Sequence, residues 1–76
     1  MATIDREGGL EVVIRTADHG DPHVHVLNDK AEIKINLSPV ELVKNKRMRM
    51  HDARDAVGLV ERKRDAYLAK WREIHG

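Results

Sequence analysis

The run HVHVLNDKAEIKINL, residues 23 to 37, decides the fold. Aliphatic residues fall on alternate positions either side of a short polar break, the period of strands that bury one face. Val24 and Val26 point one way, with His23 and His25 opposite. Beyond the break, Ile33, Ile35 and Leu37 share a face against Glu32, Lys34 and Asn36. Asn28 and Asp29 tolerate positive φ, so they are expected to form the two-residue turn of a hairpin. That turn would pair Leu27 with Lys30 and place His25 opposite Glu32, His23 opposite Lys34 and Val24 opposite Ile33.

Upstream, LEVVIR (10–15) repeats the alternation, with Leu10, Val12 and Ile14 against Glu11, Val13 and Arg15. Gly8 and Gly9 precede it and imply a turn from a short first strand around Ile4. Downstream the period changes. SPVE (38–41) has the form of a helix start, with Ser38 as cap, Pro39 in the first turn and Glu41 completing a capping box. A short helix over Val40, Leu42 and Val43 is expected there, then a long one from about His51 to Ile74. The apolar stripe of the long helix is Ala53, Ala56, Val57, Val60, Tyr67, Leu68, Trp71 and Ile74. Arg64 falls inside that stripe, where it either lays its stem along the core or pairs with an acid.

Strands followed by helices define an α+β chain. The expectation is one domain over residues 1–76: a small antiparallel sheet of three to four strands in 1–37, and a helical part in 38–76 packed on its aliphatic face. A helix of that length spans roughly 36 Å, whereas six-residue strands reach about 20 Å. Part of the stripe should then overhang the sheet, which makes Tyr67, Trp71 and Ile74 candidates for burial against another chain, a second copy or a cognate protein.

So short a chain leaves no room for a second core. Cysteine is absent, which removes disulfides and thiolate metal sites and suits a reducing cytoplasm. No apolar run approaches the roughly 20 residues of a membrane span, and no secretory leader opens the chain. A soluble, cytoplasmic protein is expected. With Lys+Arg 14 against Asp+Glu 13 the net charge is only +1, so distribution matters more than sum. Lys44, Lys46, Arg47 and Arg49 form one basic cluster and Arg62, Lys63 and Arg64 another. A basic cluster attracts phosphate, although a solvated connector or helix face is its commoner meaning.

If helices cover the aliphatic face, the polar face is left open, and three interpretations of its histidines stand side by side. They are polar residues on a wet surface; or His19, His23 and His25 hold a metal ion; or His23 and His25 move protons on a phosphodiester. In the last case Glu32 would orient an imidazole and Arg15 and Lys34 would contact the phosphate, with Lys44, Lys46, Arg47 and Arg49 as further nucleic-acid contacts. That chemistry needs no cofactor.

The segments GGLEVVI, DHGDPHVHV, INLSPVELVKNK and WREIHG resemble a family of short bacterial proteins, domain-of-unknown-function family four-one-six-zero. The likeness spans nearly the whole chain, and the family signature falls on Asp18, His19, Pro22, His23, His25, Pro39 and Trp71. The chain departs from the pattern before its long helix, where it has RMRMHD. The resemblance implies one half of a two-gene module, a toxin–antitoxin pair, and no particular chemistry. Together these observations lead to the expectation of a toxin-like component acting on RNA through the histidine face and held by a small antitoxin-like partner. The alternatives are a non-enzymatic regulator that binds a partner or DNA, and a histidine-based metal binder.

Overall fold

The computed structural model describes residues 2–17 and 20–76. Gly8 and Gly9 both take positive φ, 56° and 81°, and form the tight turn that joins β1 (Ala2–Glu7) to β2 (Leu10–Ile14). This is the turn that the two glycines announce. The β1–β2 register shifts between Thr3 and Asp5, a bulge near the outer edge.

The next hairpin, β3 (His23–Asn28) with β4 (Ala31–Leu37), turns one residue later than expected. Asn28 pairs with Ala31, and Asp29, at φ 53°, takes the left-handed position. Asn28 stays in the strand, where its Nδ2 donates to Asp52 Oδ2 at 3.1 Å. His25 therefore lies opposite Lys34, His23 opposite Asn36 and Val24 opposite Ile35. The register moves by two, so every side chain keeps its expected face.

SPVE corrects the sequence interpretation outright. Ser38 and Pro39, joined by a cis bond, form a turn rather than a helix start. The segment that follows is strand β5 (Val40–Lys46). Leu37 pairs with Val40, Asn36 with Glu41 and Ile35 with Leu42, and a bulge then brings Lys44 opposite Lys34. That bulge adds Val43 to the strand and breaks the period of two, which hides the strand in the sequence. The result is an antiparallel meander of five strands in the order β1-β2-β3-β4-β5, and the sheet extends to Lys46 instead of ending near Leu37.

The connection out of β5 is closed by one side chain. Asn45 accepts from the Met48 amide at 2.9 Å and donates to the Met48 carbonyl at 3.1 Å. Then come α1 (Met50–Arg62) and α2 (Arg64–His75). They replace the single long helix expected, with a kink at Lys63 (φ −115°, ψ 18°). Helical hydrogen bonds still run through the joint, from Lys63 to Leu59 and from Tyr67 to Lys63. An unbroken helix of roughly 36 Å would exceed the longest molecular dimension of 33 Å, whereas each of the two shorter helices fits within it. Arg64, just past the kink, donates from Nε to the Leu37 carbonyl at 2.7 Å and from Nη2 to Ser38 Oγ at 3.2 Å, pinning α2 to the β4–β5 turn.

The core is the expected one in outline. Val12, Ile14, Val24, Val26, Ile33, Ile35 and Leu37 are fully covered, and Ala53, Ala56, Leu59, Val60, Tyr67, Leu68 and Trp71 lie against them. Val57 and Ile74 are only partly buried.

The helix joint is also tied to β1. Asp5 Oδ2 accepts from Lys63 Nζ and from the Tyr67 hydroxyl, both at 2.8 Å, and Arg62 reaches Glu7 at 2.7 Å. Lys63 and then Tyr67 hold the Asp5 carboxyl below its ordinary 3.8, while burial and the Asp5 carboxylate push the Tyr67 hydroxyl up. Asp5→Ala is expected to cost about 1–3 kcal/mol, because the buried Tyr67 hydroxyl loses its acceptor. A carboxyl more acidic in the folded chain stabilises above its unfolded pKa, and that contribution disappears as pH falls through 3.8 and below. Urea titrations at neutral and acid pH should thus show a gap between wild type and variant that narrows on acidification. Equal midpoints at neutral pH would refute the role given to Asp5.

Candidate functional site

β4 carries the centre of the site. Lys34 is flanked by His25 on β3 and Lys44 on β5, and Glu32 by Leu27 and Lys46. Their shared face follows from strand alternation. Arg15, just beyond β2, reaches across β3 so that its Nη2 donates to Glu32 Oε1 at 2.8 Å. The other carboxylate oxygen, Oε2, lies 3.2 Å from His25 Nδ1. The hydrogen bond from Arg15 holds the Glu32 carboxyl below its ordinary 4.5 against the opposing effect of burial, and the charges of Arg15 and His25 lower it further. These groups line a cleft of about 470 Å³ in which Arg15, Lys34, Lys44 and Lys46 face one carboxylate. Among the described residues, no carboxylate forms an ion pair with any of those three lysines.

The open histidine face expected from alternation is corrected. His23 is 3% exposed and His25 7%, and Val13 beside them is fully covered. The His23 ring stands edge-on to His25 at 5.2 Å and 5.0 Å from Trp71, which stacks on His75 at 3.9 Å. His23 Nδ1 lies 2.9 Å from the Asp21 carbonyl, and because a carbonyl only accepts, that nitrogen carries the hydrogen. Alternation predicts direction but not cover: α2 brings Trp71 to the end of the histidine row. His25 alone of the pair lines the cleft.

The other sequence candidates disperse. Arg47 and Arg49 border a separate hollow of about 250 Å³ with Asn28, Asp29 and Asp52. Tyr67 (3% exposed) and Trp71 (7%) are covered by this chain's own core rather than left for another chain, and Ile74, partly buried, packs against that core. Of the metal set, His19 lies outside the described residues. Among the described residues, three potential ligands converge at His51, Asp52 and Asp55, where Asp52 accepts from Asn28 and His51 pairs with Asp55 one helical turn on. Those contacts account for the group. What the sequence missed is the outer edge of β5. Its visible trace is the pairing of Val40 and Leu42 around Glu41, a short alternation that the SPVE pattern masks.

Fold and site together define a small α+β protein, a five-stranded meander backed by two helices with a cationic cleft on its other face. The chain matches the family described as Domain of unknown function (DUF4160) over residues 9–72 and belongs to it. No curated protein and no solved structure matches it. Among the described residues no helix is long and apolar enough to cross a membrane.

Proposed function

We propose that the cleft binds the phosphodiester backbone of single-stranded RNA and that the protein is the toxin-like member of a bacterial two-gene module. The observation that supports this most is the grouping of Arg15, Lys34, Lys44 and Lys46 around the His25–Glu32 pair. Four cations against one carboxylate make an electropositive pocket whose attraction for phosphate grows as salt falls. A volume of about 470 Å³ lies in the range of small-ligand sites. It accepts a phosphate with its flanking sugar rather than the width of a duplex.

His25 is the proton-transfer group of this proposal. Its Nδ1 faces Glu32, the arrangement in which a carboxylate orients an imidazole that acts as a base. Arg15 and Lys34, which line the same cleft, are the cations that would meet the negative charge developing on the phosphoryl oxygens. His23, packed between His25 and Trp71, takes no part in the reaction and supports the His25 ring instead.

The test is titration of a fluorescein-labelled single-stranded RNA with wild-type protein across a range of salt, followed by a gel of the RNA. Binding with a log–log salt slope of roughly −2 to −3 is expected, since each neutralised phosphate on a single strand contributes about 0.7. Cleavage that disappears in His25→Ala is expected with it. Absence of binding at low salt, or affinity indifferent to salt, would overturn the proposal.

A further inference from the structure

β5 is the last strand of the sheet, and among the described residues no strand pairs with its outer edge, where Glu41 to Arg47 are all exposed. The Leu37 amide donates to the Pro22 carbonyl at 3.0 Å, so its backbone faces β3. By alternation, Asn36, Lys34 and Glu32 face β5, where they meet Glu41, Lys44 and Lys46. The backbone groups of Leu42 and Asn45, which fall between, turn outward. Such a row is a template for one more strand.

Charge selects the occupant. Lys44 and Lys46 project on the cleft face, and Arg47 and Arg49 follow. Within β5 itself, Lys44 and Lys46 against Glu41 give the edge a local charge of 2 − 1 = +1. A second copy pairing edge to edge would set two such charges against each other, and like charges across a strand pair are destabilising. An acidic strand meets the opposite situation. Leu42 and Val43, 37% and 45% exposed, are large hydrophobic side chains left uncovered at the same edge, and they suit apolar residues alternating with the acids.

We infer that the outer edge of β5 docks an extended acidic segment of a partner protein as a sixth strand. Its carboxylates lie over Lys44 and Lys46 and its backbone pairs with Leu42 and Asn45. Docking stands on the strand edge alone. Its consequence, that the partner's carboxylates compete with phosphate at the lip of the cleft, rests on the RNA proposal.

The probe is a labelled ten-residue peptide of alternating Glu and Val, with a Lys and Val counterpart as control, titrated into the full chain by anisotropy and mapped by amide chemical shifts. The acidic peptide is expected to bind and to shift the amides of Leu42 to Lys46, while the basic one does not bind. Leu42→Pro, which removes an outward amide at an edge that tolerates proline, should weaken the peptide at least tenfold. The double variant Lys44→Glu, Lys46→Glu should do the same and decides the matter if Leu42→Pro fails to fold. RNA binding by folded Leu42→Pro should be unchanged, because phosphate meets side chains rather than this amide, so loss of RNA binding in wild type leaves the docking test intact. No binding of the acidic peptide, shifts confined to another surface, equal binding of the basic peptide, or concentration-dependent self-association through β5 would overturn the inference.

Discussion

Trp71→Ala is expected to destabilise the chain severely, by about 3–5 kcal/mol. The indole is 7% exposed, joins the main core, and lies between the His23 and His75 rings. Truncating a buried tryptophan costs about 3–5 kcal/mol, in part because the surroundings collapse only partially into the space left. A domain of this size has roughly 4–11 kcal/mol in all, at about 0.05–0.15 kcal/mol per residue. The loss is therefore about a quarter of the stability at least and can be all of it. With about 4–8 °C per kcal/mol for small domains, circular dichroism should show the melting midpoint fall by roughly 12 °C or more, or no cooperative transition at all. Trp71→Phe, which keeps a ring in the stack, should lose far less. A midpoint within a few degrees of wild type for the alanine variant would show that the indole is not a core residue. The same substitution cannot serve as a probe of partner binding, because its effect on any partner would pass through folding.

The opposite pattern is expected of the triple variant Lys34→Glu, Lys44→Glu, Lys46→Glu, in which binding is lost and folding kept. The cleft lining carries four cations and one carboxylate, a balance of 4 − 1 = +3. In the variant Arg15 alone opposes four carboxylates, and the balance becomes 1 − 4 = −3. Removing three phosphate contacts should reduce the salt slope by about 2, and the reversed field should repel the strand further. RNA affinity at low salt should drop at least a hundredfold. Lys44 and Lys46 are exposed and Lys34 partly so, and substitutions at such positions usually stay within about 0.5 kcal/mol. A melting curve near that of wild type is the control. Undiminished RNA affinity in the folded variant would move the binding surface away from this cleft, and Arg47 and Arg49 would be the next cations to examine.

Several parts of the site were legible because their signal is local. The alternation in HVHVL and AEIKINL placed His25, Glu32 and Lys34 on one face, and the two-residue error in register left that placement intact. Contact between His25 and Glu32 was expected from direct pairing; it forms instead on the diagonal, with Lys34 directly opposite the ring. Charge alone marks Lys44 and Lys46 in the sequence, and strand β5 is what carries them to the cleft. Arg47 and Arg49 looked equivalent in sequence, but Arg47 turns the chain at φ 69° and both end elsewhere.

By itself the sequence determined the composition of the two sheet faces, the glycine turn, the apolar stripe of the helices and membership of the family. Each is written in residue types at short spacing, and period-two or helical patterning needs no distant partner to be read. Tertiary structure alone decided that VELVKNK is a strand, that the C-terminal helix kinks at Lys63, and that the histidines are buried. A helix-start pattern is a weak local preference, and pairing with β4 along the whole of β5 outweighs it. Whether an imidazole meets water depends on what packs against it, and for His23 that includes Trp71, nearly fifty residues further along the chain.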